Sequence, residues 1–244
     1  MIEMNSRVDI LGVGFNNTSM DEALEYILSL MPEHKAKYIV TPNPEIVMRA
    51  RSDHSLASAI ENSSLVLPDG VGIMYGAKIL SRSLKERIPG IDFTSLLFEH
   101  MARNGKSVFL FGAKPGIAEK AADNISSQFP GLIIVGTNDG YFSDDKPIID
   151  KINEAKPDLL LVCLGFPKQE LWMQSNADKL DVGIMIGAGG SLDVFSGTVE
   201  RAPLGWRKLG LEWLHRLIKE PRRFKRMLVL PKFLVAVIIS RIRG

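Results

Sequence analysis

Asp69 is the carboxylate in this sequence best placed to remove a proton. It stands in Pro68-Asp69-Gly70, directly after the apolar run Ser64–Leu67. A carboxylate at a strand end can act as a general base once a hydroxyl comes within reach. Gly70 allows close backbone approach, although Pro-Asp-Gly alone is also a common turn. Arg87 lies in Lys85-Glu86-Arg87-Ile88-Pro89-Gly90, a polar stretch expected to be a mobile loop. Its guanidinium could grip a diphosphate as a bidentate fork or simply be solvated. Gln169 could orient a sugar hydroxyl or be an ordinary first-turn helix residue. Two glycine clusters, Gly112-Ala113-Lys114-Pro115-Gly116 and Gly187-Ala188-Gly189-Gly190, let the backbone approach a phosphate. Gly112, Lys114, Gly187 and Gly189 are therefore candidate nucleotide contacts.

Several chemistries lack their residues. Neither glycine cluster has the G-x-G-x-x-G spacing, and there is no G-x-x-x-x-G-K-[ST], so dinucleotide oxidoreductases and P-loop NTPases lose their main support. His34, His54, His100 and His215 are scattered, so no metal site is expected. There is no Asp-x-Asp to clamp a metal on a nucleotide sugar, and no G-x-S-x-G nucleophile elbow. No cofactor is implied. Cys163 is the only cysteine, which excludes an internal disulfide and reads as a small buried hydrophobe. The N-terminal MIEMNSRVDILGVGF shows no basic region followed by an apolar one, so no signal peptide is expected and the compartment should be a reducing cytosol.

The elements that must position these residues are legible as alternating apolar runs and helical periods. Strands are expected at Val8–Val13, Lys37–Val40, Ser64–Leu67, Ser107–Phe111, Leu132–Val135, Asp158–Leu164 and Val182–Ile186. Helices are expected at Met20–Met31 with Ser19 as cap, Leu56–Ile60, Ile91–Ala102, Ile117–Phe129 and Ile148–Glu154. This alternation predicts an α/β, Rossmann-like fold with a largely parallel sheet and helices on both faces. Ligands of such sheets bind beyond the carboxyl ends of the strands. Thr41-Pro42-Asn43, Pro68-Asp69-Gly70, the two glycine clusters and Gly165-Phe166-Pro167-Lys168-Gln169-Glu170 all fall there. One such loop would be only a turn. Five on one edge point to a nucleotide-like or phosphorylated ligand.

A charge asymmetry divides the chain near residue 200. Of 30 Lys and Arg, 12 lie in residues 201–244, with 2 of the 28 Asp and Glu, so this tail is +10 and residues 1–200 are −8. We read 1–200 as an α/β core and 201–244 as a basic, amphipathic helical appendage. Trp206, Leu209, Trp213, Leu214, Leu217 and Ile218 recur at helical spacing, with Arg207, Lys208, Arg216 and Lys219 between them. Pro231 and Lys232 interrupt the later apolar stretch, whereas a spanning helix needs roughly 20 apolar residues. The pattern suits a helix lying on an anionic membrane surface. The alternative is a helix packed on its own domain or on another subunit, as in a homo-oligomer. Nucleic acid is not expected, because aliphatic runs stand where stacking aromatics and polar base readers would be needed.

The ordered set Thr41-Pro42-Asn43, Pro68-Asp69-Gly70, Arg87-Ile88-Pro89-Gly90, Gly140-Tyr141-Phe142, Gly165-Phe166-Pro167-Lys168-Gln169-Glu170, Gly187-Ala188-Gly189-Gly190 and Arg201-Ala202-Pro203 resembles the bacterial WecG/TagA/CpsF glycosyltransferase family from about residue 8 to the basic tail. The resemblance implies a metal-independent, inverting enzyme that is peripheral at the cytoplasmic membrane face. It would move an N-acetylmannosamine-type sugar from a UDP donor to the C4 hydroxyl of N-acetylglucosamine on undecaprenyl diphosphate. The TagA-like branch serves teichoic acid linkage-unit synthesis; the WecG-like branch uses the uronic acid. It further implies that Asp69 is the base, that Thr41 and Asn43 lie near a sugar, and that Arg87 and Gln169 bind substrate. Tyr141 joins the nucleotide candidates. The resemblance implies that tail arginines reach the diphosphate, and Arg216, Arg222 and Arg223 are the candidates among which the choice stays open. A non-catalytic, membrane-docked nucleotide-binding module is the alternative reading.

Overall fold

A computed structural model describes residues 6–219, 224 and 228–243 of the chain. It opens with an antiparallel hairpin, β1 (Arg7–Ile10) and β2 (Val13–Asn16). The single strand expected at Val8–Val13 is therefore two. Leu11 and Gly12 both take positive φ, at 56° and 90°, the two-residue turn that matches the twist of paired strands. A leucine in the first turn position hides that signal.

Next come α1 (Met20–Leu30), β3 (Lys37–Val40), α2 (Pro44–Ala50), α3 (His54–Glu61), β4 (Leu65–Val66) and α4 (Val71–Ile79). They are followed by α5 (Gly90–Arg103), β5 (Ser107–Gly112), α6 (Ile117–Gln128), β6 (Ile133–Asn138), α7 (Lys146–Ala155), β7 (Leu159–Cys163), α8 (Lys168–Asn176), β8 (Ile184–Gly187) and α9 (Ser191–Phe195). Strands β3 to β8 form one parallel sheet in the order β4-β3-β8-β7-β5-β6. The α/β, Rossmann-like expectation holds.

The sheet is covered on both faces, as its strands require. Central β7 reads Leu-Leu-Leu-Val-Cys and is buried at every position. Its alternate side chains go to opposite layers: Leu160 and Val162 join one apolar core, Leu159, Leu161 and Cys163 the other. Burial pushes the Cys163 thiol up to about 12, so it packs as an uncharged group. Ser19 caps α1 through a full capping box with Glu22. The hairpin shields the β4 edge, where Asn16 Oδ1 accepts Val66 N at 2.8 Å.

The chain beyond residue 200 forms α10 (Leu204–Lys208), α11 (Glu212–Lys219) and α12 (Val229–Arg243). α12 is not a free appendage. Its Phe233 and Val237 are fully buried in the same core as Ile10, Ile73 and Ala77. It lies on α4, a helix whose two glycines conceal it from propensity reading. A Cβ on Gly72 would stand 2.8 Å from Leu230, and one on Gly76 would stand 2.9 Å from Phe233. Glycine there makes the flat bed on which α12 rests. Only α11 is strongly amphipathic; α12 has apolar residues on both its core side and its outer side.

Candidate active site

Two clefts open at the carboxyl edge of the sheet. The first, about 250 Å³, lies beyond β3 and β4. Asn43, Glu45, Asp69, Arg87, Gly90 and Ile91 line its core side, and Gly210, Glu212, Trp213, Val229 and Leu230 line the side contributed by the tail. Each core residue is fixed by local bonds. Asn43 caps α2, its Oδ1 accepting Glu45 N at 2.9 Å and Ile46 N at 3.1 Å, so its amide NH₂ is what it can offer a ligand. Asp69 N donates to Pro42 O at 3.3 Å, and Ile88 N donates to Pro68 O at 2.9 Å. These two bonds bring Asn43, Asp69 and Arg87 to one cleft from three separate loops.

The Arg87 loop is not the mobile segment expected from its polarity. Lys85 N donates to Asn17 Oδ1 at 2.8 Å, Glu86 Oε2 accepts Met20 N at 2.8 Å, and Ile88 is fully buried. Lys85 also pairs with Glu22 at 2.7 Å, which holds the Glu22 carboxyl below its usual range. The charges of Lys85 and Glu86 tie the loop to the start of α1.

Thr41 and Gln169 sit behind the clefts rather than in them. Thr41 is buried and its Oγ1 donates to Gly187 O at 3.3 Å. Gln169 is 3% exposed; its Oε1 accepts Gly189 N at 3.0 Å and its Nε2 donates to Glu170 Oε1 at 2.9 Å. Burial raises the Glu170 carboxyl above its usual range, and its Oε2 has no hydrogen-bond partner among the described residues. Together these residues fix the Gly187–Gly190 loop, whose Gly189 takes φ +53°. Gly112 likewise serves packing, since a Cβ there would collide with the Cys163 backbone.

The second cleft, about 600 Å³, lies beyond β5, β6 and β7. Lys114, Tyr141, Ser143, Lys168 and Asp193 line it. Lys168 Nζ donates to Gly140 O at 2.9 Å and stands 3.9 Å from the centre of the Phe142 ring, a cation held against an aromatic face. Two lysines beside one aspartate suit a diphosphate and a ribose or base that offers donors.

Of the tail arginines, Arg216 belongs to α11, while Arg222 and Arg223 lie outside the described residues. Among the described residues no group of three His, Cys, Asp or Glu gathers where a metal could be held. No described helix is long and apolar enough to cross a membrane. Sequence reasoning named Lys168 only within the loop Gly165-Phe166-Pro167-Lys168-Gln169-Glu170, and it missed Glu45, Asp193, Glu212 and Trp213. Glu45 lies two residues from Asn43, which could have flagged it. Glu212 and Trp213 reach the cleft only by tertiary folding.

Comparison with known proteins decides the kinship. A profile described as the glycosyl transferase WecG/TagA/CpsF family matches residues 8–244. The chain belongs to this family. Among its relatives is a Bacillus subtilis (strain 168) protein named N-acetylglucosaminyldiphosphoundecaprenol N-acetyl-beta-D-mannosaminyltransferase, 34% identical over 94% of this chain and 90% of the relative. Proteins with the same name from Bacillus spizizenii and Staphylococcus aureus (strain MW2) are 35% and 34% identical. Their alignments cover 85% and 95% of this chain, and 81% and 92% of the relatives. The edge-of-sheet geometry fits this kinship: residues of Pro68-Asp69-Gly70 and Arg87-Ile88-Pro89-Gly90 border the first cleft, and Gly140-Tyr141-Phe142 borders the second.

Proposed function

We propose that this chain transfers N-acetylmannosamine from UDP to the C4 hydroxyl of N-acetylglucosamine on undecaprenyl diphosphate, with inversion, as in teichoic acid linkage-unit synthesis. The observation that carries the mechanism is the first cleft, where Asp69 shares one wall with Asn43 and Arg87 and faces apolar residues of the tail. The names of the three relatives specify N-acetylmannosamine, which favours that donor over its uronic acid.

In this reading the acceptor hydroxyl enters the first cleft and Asp69 takes its proton. The hydroxyl oxygen bonds to the anomeric carbon as the bond from that carbon to the UDP oxygen breaks. UDP leaves with the charge of the broken bond, and guanidinium and ammonium groups stabilise it. Arg87 serves from the first cleft; Lys114 and Lys168 serve the nucleotide in the second, with Tyr141 as its neighbour. Thr41, Gln169, Gly187 and Gly189 support the floor between them. The tail candidates for the diphosphate stay Arg216, Arg222 and Arg223. Exposed Leu209, Ile218, Phe224, Ile238, Ile239 and Ile242, together with the +10 charge of the tail, suit a surface that rests on anionic lipid at the cytoplasmic face.

The test is incubation with UDP-N-acetylmannosamine and a short-chain lipid-diphosphate N-acetylglucosamine, with product read by mass. A disaccharide on the lipid is expected. UDP binding with no turnover would favour the non-catalytic module instead. Arg87→Ala should lower kcat about 100-fold in that assay, because one preorganised donor to the developing charge is lost. Stopped single-turnover kinetics checks it, and a change under threefold removes Arg87 from this role.

A further inference from the structure

The tail wall of the first cleft is fastened to the core at one carboxylate. Arg201 forms a fork on Asp92, with Nη1 to Oδ1 and Nη2 to Oδ2 both 2.6 Å. Arg207 Nη1 stands 3.8 Å from the same Oδ1. Asp92 lies in the first turn of α5, next to Gly90 and Ile91 of the cleft's core wall. Arg201 Nε points the other way, 4.0 Å from Glu212 Oε1 of the tail wall. Arg201 and Glu212 are 19% and 16% exposed, and the Arg201 and Arg207 Nε atoms are buried without a hydrogen-bond partner among the described residues. Two guanidiniums are thus drawn out of water toward one core carboxylate. A fork of this kind fixes angle as well as distance.

The rest of the tail segment is built to transmit that placement. Trp206 packs edge-on against His215 at 5.6 Å, joining α10 to α11. Between them Gly210 crosses the start of α4, where a Cβ would meet Val71 at 3.1 Å. The fork therefore sets where Glu212 and Trp213 stand relative to the cleft's core wall.

We infer that Arg201 and Asp92 are positioning residues for the acceptor: their fork holds the Glu212–Trp213 wall at the spacing the acceptor sugar needs. This deepens the reading under Proposed function and rests on it. Neither residue lines the cleft, so neither is assigned contact with substrate.

Three variants test it in the full chain: Arg201→Ala, Arg201→Lys, and the swap Asp92→Arg with Arg201→Asp. Arg201→Ala should raise KM for the lipid-diphosphate acceptor about tenfold or more, since small misplacement of a positioning wall is costly. The Kd for UDP, which the second cleft serves, should stay within twofold. Arg201→Lys keeps the charge without the fork and should fall between; the swap should recover most of the acceptor KM. Hydrogen exchange of amides 204–219 gives a readout without turnover and should quicken in Arg201→Ala. Unchanged exchange overturns the inference even if the wild type proves inactive. So does an unchanged acceptor KM in Arg201→Ala, or parallel loss of UDP binding and thermal stability in both single variants. Absence of turnover in the wild type with quickened exchange in Arg201→Ala overturns the functional reading and leaves the fork standing.

Discussion

Asp69→Asn is expected to lower kcat for sugar transfer about 10²- to 10⁴-fold, with UDP affinity and thermal stability near those of the wild type. The substitution keeps shape and removes the negative charge with which residue 69 could take a proton. The backbone bond that places residue 69, its N–H to Pro42 O, survives any side chain. The residue is partly exposed at the cleft wall, so the amide can be solvated there. Loss of turnover with UDP binding intact, measured by calorimetry on the same sample, therefore reads as loss of the base. Turnover within threefold of wild type would remove Asp69 from that role and with it the single-displacement scheme. The predicted pattern also differs from that of Arg87→Ala. In the proposed scheme Asp69 acts on the acceptor hydroxyl and Arg87 on the leaving group, so hydrolysis of the donor by water should lose less rate in Asp69→Asn than in Arg87→Ala.

Much of this site could be read from residue order because strand ends do the positioning. β3, β5 and β7 announce themselves as short, mostly apolar and buried runs, and a parallel sheet delivers the loops that follow them to one edge. Asn43 and Asp69 needed only that rule to be brought together; Arg87, between α4 and α5, follows no strand and reaches the cleft through the bond from Ile88 N to Pro68 O. Two other things escaped it. Helix α4 carries Gly72 and Gly76, which lower its propensity, and the reason for them lies far along the chain in Leu230 and Phe233. Thr41 and Gln169 have side chains suited to a sugar, yet the fold commits both to the Gly187–Gly190 loop. Residue type states what a side chain can donate or accept. Only the fold states who receives it. The tail shows the same limit: its charge and apolar runs are plain in sequence, but the division of α12 between core and surface is not.

That division can be measured. Phe233→Ala should destabilise the chain by about 3–5 kcal/mol, because Phe233 is fully buried and its ring fits the hollow left by Gly76. For a domain of this length that is a drop in Tm of roughly 10 °C, read by calorimetry. Since whole domains have about 5–15 kcal/mol, removing α12 altogether should leave a core that unfolds or aggregates. A clean soluble fragment 1–200 would contradict the packing described above. The outer side of the same helix behaves differently. Ile238, Ile239 and Ile242 are exposed, so changing all three to Asn should move stability little. It should instead weaken sedimentation with anionic vesicles, because the apolar face that enters the acyl boundary is gone while the basic residues remain. If both sets of substitutions lower Tm alike and vesicle binding not at all, the outer side is covered by protein and the helix belongs to a subunit contact. If they separate, one helix joins the core of the enzyme to the surface where its lipid-linked acceptor resides.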